Sequence, residues 1–248
     1  MSRLFYITWG LCAFPFLTMA QQSTPPAALP ANVTQSVDLS FATKGNFTTT
    51  ALSVSRLHGV GRHKRFRIGY GLRFTSAFGK NTTYRTAPAR LTSGKHSIFA
   101  LFSEDLVQNI DTLKFPVTQI NSFNISIHLE YALTRKVAAG FNIDGIGFSF
   151  GSDRSSTFTS KGTGRSALTG STQQARPTAF NLLLISDSDI GSLNSEAYVR
   201  YQVAPKLSLR AGLNFQFNEY QTRKKLIFDN DRYRTKNLMP MLAIAYHF

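Results

Sequence analysis

Hydrophobic and polar residues alternate along several stretches of this chain with a period of two. In residues 65–75, aromatic and aliphatic side chains occupy one face, while arginine, glycine and threonine occupy the other. Such strict alternation is the signature of a β-strand with one apolar face. The same pattern recurs in residues 123–133, 193–203 and 207–217. The chain is therefore expected to be built from long amphipathic strands.

The connections between these stretches are of two kinds. Residues 59–64, 134–136 and 204–206 are short, whereas the connections on the other side are long and polar. Strands of about ten residues joined by short turns at one end and long loops at the other are typical of outer-membrane β-barrels. The long connections are residues 79–117, 152–191 and 222–237.

We therefore predict an all-β fold: a closed, antiparallel, up-and-down transmembrane β-barrel of about eight strands. Apolar stretches at residues 97–102 and 179–185, inside two long loops, would raise the count to ten if they also span. The eight predicted strands are residues 36–43, 47–58, 65–78, 120–133, 137–150, 192–203, 207–221 and 238–248.

A soluble two-sheet domain would show the same alternation, because its apolar face would be buried and its polar face solvated. Two features favour the barrel. The strands exceed the usual five or six residues, and glycines lie within them where large neighbours need room inside a narrow tube. These glycines are Gly69, Gly71, Gly140, Gly145, Gly147 and Gly212.

The first 32 residues are expected to lie outside the barrel. Residues 1–20 resemble a cleavable secretory signal, with Arg3 before an apolar run and Ala20 at the cleavage position. Residues 21–32 carry three prolines and no periodicity, so we expect a flexible lead-in. The barrel is then predicted to occupy residues 33–248.

Composition narrows the chemistry. The 248 residues include 28 Lys and Arg, 13 Asp and Glu, and one cysteine, Cys12, which falls inside the signal. The mature chain would have a net charge of +14 and no thiol, which excludes disulfides, cysteine-based zinc sites and a cysteine nucleophile. We expect no metal site and no cofactor. Nucleic-acid binding is not expected either, because the basic residues are scattered.

The last strand carries a more specific pattern. Leu242, Ile244, Tyr246 and Phe248 alternate up to a terminal phenylalanine, and this resembles the sorting and assembly signal of bacterial outer-membrane barrels. Pro240 departs from the pattern, although proline is tolerated near the start of a strand. The chain resembles the small outer-membrane β-barrel family of Bacteroidota, a porin-like barrel group. The resemblance implies an outer-membrane location and the barrel assembly machinery as a partner, and little about activity.

The inward face of the predicted barrel is strongly charged. An eight-stranded barrel is just wide enough for its own side chains, so we expect a lumen filled by a salt-bridge network. Arg67 or Arg73 could pair with Glu130, and Glu196 or Arg200 with Arg210. The predicted lumen residues are Arg67, Arg73, His128, Glu130, Asp144, Glu196, Arg200 and Arg210.

Two other functions could use the same face. One is a narrow gated channel for ions or small solutes, and the other is a hydrolase that acts on lipid A or phospholipid. A hydrolase would need a Ser/His/acid arrangement, for which Ser126, His128 and Glu130 are candidates. These residues follow each other at steps of roughly 6.5 Å, which predicts that Ser126 and His128 are too far apart for a direct hydrogen bond. We therefore expect a protein that is not an enzyme.

The last long loop, residues 222–237, has a net charge of +4. Its cations could simply be solvated, or they could contact the phosphates of lipopolysaccharide, which guanidinium groups bind bidentately. We therefore predict membrane lipid and lipopolysaccharide as partners. The candidate residues are Arg223, Lys224, Lys225, Arg232, Arg234 and Lys236.

Overall fold

The computed structural model describes residues 32–92, 106–161, 166–184 and 188–248. They form eleven β-strands, a one-turn helix, α1 (Ala89–Thr92), and 3-10 turns at Val107–Asn109, Ser166–Leu168 and Ile227–Asp229. The strands are β1 (Val33–Lys44), β2 (Phe47–Val60), β3 (Phe66–Thr86), β4 (Thr112–Ala132), β5 (Val137–Phe150), β6 (Arg154–Thr159), β7 (Thr172–Pro177), β8 (Phe180–Leu182), β9 (Leu193–Ala204), β10 (Leu207–Thr222) and β11 (Arg232–His247).

Eight long strands form a ring, here called the main ring. The order β1–β2–β3–β4–β5–β9–β10–β11 is antiparallel throughout, and β11 pairs back onto β1 over seven residue pairs from Ser36↔His247 to Ala42↔Met241. The predicted all-β, up-and-down fold with eight barrel strands is confirmed. The ends joined by residues 61–65, 133–136 and 205–206 are called the short-turn rim, and the opposite ends the long-loop rim.

Burial in the main ring is inverted relative to a soluble protein. Outward residues such as Leu39, Ile125 and Leu242 are about half exposed or more. Inward residues such as Arg73, Asp144 and Asn124 are fully buried. An apolar outer band around a polar interior is the arrangement of a transmembrane barrel, and it is the opposite of a solvated sandwich. No helix in the described ranges is long and apolar enough to cross a membrane.

A second, smaller ring stands above the main ring at the long-loop rim and is called the upper ring. Its six strands are the extended ends of β3, β4, β10 and β11 together with the hairpin β6–β7. β4 pairs with β6 at Leu113↔Phe158, β7 pairs with β10 at Tyr220↔Pro177, and β11 pairs with β3 at Tyr233↔Thr86. β1, β2, β5 and β9 take no part in these pairings.

The upper ring corrects the predicted loop boundaries. β3 runs to Thr86 and β4 starts at Thr112, so both strands continue into the segment 79–117 that was predicted to be a loop. The predicted loop 152–191 contains β6, β7 and β8. Only short β8 falls in the apolar stretch 179–185, and it lies against β5 without spanning. The stretch 97–102 and the predicted signal lie outside the described residues.

β11 also begins earlier than predicted, at Arg232, which places Pro240 in mid-strand rather than near the strand start. Pro240 faces Leu213 of β10. On its other side β11 pairs with β1 only from Met241 onward and with β3 only at Tyr233 and Arg234. Pro240 therefore lies where β11 passes from one partner to the next, so its missing N–H leaves no gap in a ladder.

Candidate functional site

The interior of the main ring holds two groups of ion pairs. The first, near the short-turn rim, is centred on Glu130 of β4. The Arg200 guanidinium donates two hydrogen bonds of 2.9 Å to the two Glu130 oxygens, and Arg67 Nη1 lies 3.2 Å from Oε1. Arg67 faces Glu130 directly across the β3–β4 ladder, so strand register makes this contact.

The second group lies deeper and links five strands. Arg73 Nη1 is 3.0 Å from Asp144, and Arg73 Nη2 is 3.6 Å from Glu196. Arg210 bridges Glu196, at 3.2 Å, and Asp38, at 2.7 Å. Three carboxylates thus surround two guanidinium groups, while the first group has two guanidinium groups and one carboxylate. The two groups together are formally neutral.

Amides complete the deeper group. Asn142 accepts a hydrogen bond from Arg73 and donates one of 2.9 Å to Glu196. Asn124 donates to Asp144 at 2.8 Å, and the backbone N–H of Asn194 donates to the same carboxylate at 3.0 Å. Buried charges are retained in proteins when such additional hydrogen bonds satisfy them.

The sequence suggested alternatives for some of these contacts, and register selects among them. Arg73 lies opposite Asn124 on β4 and contacts Asp144 and Glu196 instead of Glu130. Arg200 and Arg210 face each other across β9–β10. Because their charges repel, each guanidinium turns to a carboxylate on another strand.

Sequence reasoning omitted Asp38. The alternation of β1 puts Asp38 between the outward residues Val37 and Leu39, so the inward position could have been found from the pattern. The amides Asn124, Asn142 and Asn194 also occupy inward positions. They were omitted because only charged groups and one histidine were selected.

Ser126 and His128 overturn the distance argument made from the sequence. Ser126 Oγ lies 2.9 Å from His128 Nε2, so the predicted absence of a direct hydrogen bond is wrong. The two Cα atoms are separated along β4, but the His128 side chain is long enough to reach back along the strand to Ser126. Gly71 opposite provides the room: a Cβ there would lie 2.8 Å from Nε2 and 3.1 Å from Oγ.

This Ser–His pair is enclosed. Ser126 and His128 are both buried, and within the described chain no carboxylate is within hydrogen-bond distance of the His128 ring. The neighbouring cavity, lined by Glu130, Arg67 and His247 among others, has a volume of about 20 Å³, which is enough for one water molecule. Several of the predicted lumen residues thus line a cavity that is too small for a substrate.

The upper ring has a contrasting, apolar interior. Each of its six strands contributes at least one buried residue to a single cluster. The aromatic rings of Phe115 and Tyr220 lie 4.7 Å apart, and Tyr84 packs edge-on against both. The cluster consists of Tyr84, Leu113, Phe115, Ile120, Phe158, Ala175, Tyr220 and Tyr233.

Burial changes the acidity of two phenols in this apolar cluster, which lies beyond the main ring. Desolvation raises the pKa of Tyr220 to about 12, even though its hydroxyl hydrogen-bonds the backbone of Gln119. Desolvation also raises the pKa of Tyr84 well above its ordinary value. Both phenols stay protonated at neutral pH and contribute no charge to this cluster.

A third charged group lies at the base of the upper ring, around the fully buried Glu219. Arg232 donates to both carboxylate oxygens, at 2.8 and 2.9 Å, and Arg234 lies 3.3 Å from one of them. Both guanidinium groups also donate to the backbone carbonyl of Asp189. This group fastens the segment before β9 to β10 and β11.

The structure therefore divides the six cations predicted to bind anions. Arg234 is buried and Arg232 is directed to Glu219, because both belong to β11 rather than to a loop. Arg223 forms an exposed ion pair with Asp153, and Lys225 with Asp229. Lys224 is exposed at the long-loop rim.

Lys236 lines a pocket of about 230 Å³ between β3 and β11. Arg85 and Arg234 also line this pocket, and the remaining lining residues are four threonines and Ala87. Sequence reasoning missed Arg85, because it assigned this residue to a loop distant from β11. The threonines are Thr83, Thr86, Thr92 and Thr235.

The four residues of the predicted assembly signal all point outward. Leu242 and Phe248 are the most exposed, at 68% and 61%. Within the described ranges, no group of three or more potential ligands is placed to hold a metal ion.

Comparison with known proteins gives structural matches alone. No protein-family model and no curated protein matches the chain. Neisserial surface protein A matches with a TM-score of 0.38 and 11% identity, over 88% of this chain and 98% of that one. A major outer membrane protein from Thermus thermophilus matches with a TM-score of 0.36 and 12% identity, over 88% and 100%.

Ail, the attachment invasion locus protein of Yersinia pestis, in complex with the heparin analogue sucrose octasulfate, matches with a TM-score of 0.34 and 9% identity, over 87% of this chain and 97% of that one. All three are membrane or surface proteins by name. At these scores the fold assignment rests on the strand pairings described above. The resemblance to barrels of Bacteroidota gains no support from these matches.

Proposed function

We propose that this chain is a non-conducting outer-membrane β-barrel whose basic long-loop rim binds anionic surface groups, in particular the phosphates of lipopolysaccharide. In such barrels the short turns face the periplasm and the longer loops face outward. The outward apolar band of the main ring supports the membrane location, since each outward apolar side chain would otherwise be exposed to water.

A sealed lumen is the first part of the proposal. The ion-paired interior of the main ring leaves space for about one water molecule near Glu130, and the aromatic cluster of the upper ring stands above it. An ion would have to cross both a salt-bridge network and an apolar plug. This arrangement favours a non-conducting barrel over the narrow gated channel.

Anion binding is the second part, and the pocket beside Lys236 is the observation that carries it. Its lining brings the exposed cations Arg85 and Lys236 together with four threonine side chains, and this combination offers charge-assisted and neutral donors to phosphate oxygens, while Arg234 stays paired with Glu219. The pocket lies at the rim that would meet the outer leaflet. We infer that it receives a phosphate of lipopolysaccharide.

We further propose that the protein has no hydrolase activity. The Ser126–His128 pair points into the sealed interior, away from the lipid that such an enzyme would attack. The cavity that His128 lines has a volume of about 20 Å³, far too small for a lipid. A hydrolase of this class needs the nucleophile to reach its substrate.

Two experiments test the proposal. The mature chain, refolded in detergent, should migrate differently in a gel before and after boiling, and planar-bilayer recordings should show no unitary conductance. Equal mobility, or folding without detergent, would contradict the membrane location, and a reproducible conductance would contradict the sealed lumen.

Binding of lipopolysaccharide to the refolded barrel should weaken at least tenfold in Arg85→Gln/Lys236→Gln. Arg135→Gln/Lys206→Gln at the opposite rim is the matched control and should bind as wild type. Enzymatically dephosphorylated lipopolysaccharide should bind the wild type as weakly as the first variant binds the intact lipid. Unchanged binding by that variant would disprove the proposed site.

A further inference from the structure

The short-turn rim is strongly basic, and it would meet the leaflet opposite the one that the long-loop rim meets. The three turns and the adjoining strand ends carry six cations and no Asp or Glu. Glu130, on the strand that leads to this rim, is buried and already paired with Arg67 and Arg200. The six cations are Arg62, Lys64, Arg65, Arg135, Lys136 and Lys206.

Arg56 brings a further charge onto the outer wall of the barrel near this rim. It interrupts the outward apolar face of β2, following Leu52 and Val54. Its neighbours across the ladders are Gln35 on β1 and Tyr70 on β3, both on the outward face. Among the described residues, none forms a hydrogen bond or ion pair with the Arg56 guanidinium.

A pocket of about 200 Å³ adjoins Arg56 on the outer wall. Val54, Leu72 and Phe248 give it apolar walls, while Arg56 and Gln35 provide polar side chains. Phe248 is held beside Gln35 by a backbone hydrogen bond of 3.2 Å, which places the pocket at the end of β11 and close to the short-turn rim.

This combination matches the chemistry of an anionic phospholipid at a membrane interface. An arginine in hydrocarbon is costly, and the cost falls toward the interface, where the guanidinium can pair with a phosphate. Tyrosine beside it, as with Tyr70, is the residue type that sits at headgroup level. A surrounding ring of cations draws anionic lipid toward the same surface.

We propose that the short-turn rim holds an anionic phospholipid of the adjacent leaflet, with its phosphate on Arg56 and Gln35 and the start of an acyl chain in the pocket of Val54, Leu72 and Phe248. The six rim cations enrich such lipids around the barrel. This inference rests on the proposed membrane location and is independent of lipopolysaccharide binding, which involves the opposite rim.

The test uses barrel refolded in phospholipid-free detergent, to which palmitoyl-oleoyl phosphatidylglycerol or phosphatidylcholine is added. Native mass spectrometry counts the lipid molecules retained per barrel. The wild type should retain phosphatidylglycerol in preference to phosphatidylcholine, and Arg56→Gln should lower phosphatidylglycerol occupancy at least fivefold. Phosphatidylglycerol occupancy in Arg56→Lys should lie between that of the wild type and that of Arg56→Gln, because an ammonium keeps the charge but cannot bind a phosphate bidentately. Lys114→Gln, an exposed cation of the upper ring, should behave as wild type.

Folding is checked for each variant by the gel mobility shift. If Arg56→Gln does not fold, the wild type alone decides, because its phosphatidylglycerol preference should shrink as salt is raised from about 50 to about 500 mM. Equal retention of the two lipids by the wild type, or unchanged occupancy in a folded Arg56→Gln, would overturn the inference. A chain without any mobility shift would instead reject the membrane location itself.

Discussion

Tyr84 and Tyr220 pack edge to face inside the upper ring, with ring centroids 5.3 Å apart and an interplanar angle of 84°. They come from β3 and β10, which are not neighbours in the main ring. In the upper ring both strands pair with β11, so this contact crosses the interior behind β11 and fills space through which a lumen would otherwise open. Several consequences of this plug, and of the polar network below it, can be measured.

Loss of the Tyr84 ring should destabilise the fold. Tyr84→Ala removes a fully buried aromatic side chain, which we expect to lower the free energy of unfolding by about 3–5 kcal/mol. Tyr84→Phe is the matched control. The hydroxyl forms no well-placed hydrogen bond in the described chain, so its removal should change stability by less than about 1 kcal/mol. Urea unfolding in detergent micelles measures both, and equal losses would show that the ring is not a packing element.

Removing Arg73 should leave Asp144 and Glu196 without their shared cation. We expect Arg73→Met to cost about 3–5 kcal/mol, and Arg73→Met/Asp144→Asn to cost less than the single change, because one uncompensated carboxylate is then removed. Arg223→Met breaks the exposed pair with Asp153 and should cost about 0–1 kcal/mol. If the double variant is less stable than the single one, the ion-pair account of this group is incorrect.

Gly71 should not tolerate a methyl group. A Cβ at this position would lie 2.7 Å from the Val54 carbonyl oxygen and 2.8 Å from His128 Nε2, so Gly71→Ala should cost about 1–3 kcal/mol. Gly145→Ala is the control, since its nearest contact would be 3.7 Å away. Adding His128→Ala to Gly71→Ala should recover part of the loss. Unfolding midpoints that are the same for both glycine variants would contradict the predicted steric conflict.

Alkaline pH should loosen the upper ring. The pKa of Tyr220 is raised to about 12 in the folded chain, against about 10 when unfolded, so between these values the folded state holds more protons. Stability should therefore be unaffected by this group below about pH 10 and should fall from about pH 10 to 12, by up to about 1.4 kcal/mol per pH unit. Unfolding midpoints measured across this interval should decline less steeply in Tyr220→Phe than in the wild type. Equally steep declines in the two proteins would show that Tyr220 does not have a raised pKa in the folded chain.

Much of the main ring could be predicted from the sequence, because each strand has hydrocarbon on one face and the polar interior on the other. Where every second residue must face hydrocarbon, the alternation from Phe66 to Phe74 is unambiguous, and strand positions follow from it. The interior contacts were harder to predict. Arg73 had Glu130 as an apparent partner, and only the registers of β3, β4 and β5 bring it to Asp144 instead.

The sequence by itself determined the strand class, the inward and outward faces, and the net positive charge, since these depend on local alternation and composition. The tertiary structure alone decided which charges meet, that Ser126 reaches His128, and that a second ring closes over the first. β6 and β7 have six residues each and too few apolar positions to reveal a period. They become strands only because the edges of β4 and β10 offer unpaired backbone groups that must be hydrogen-bonded.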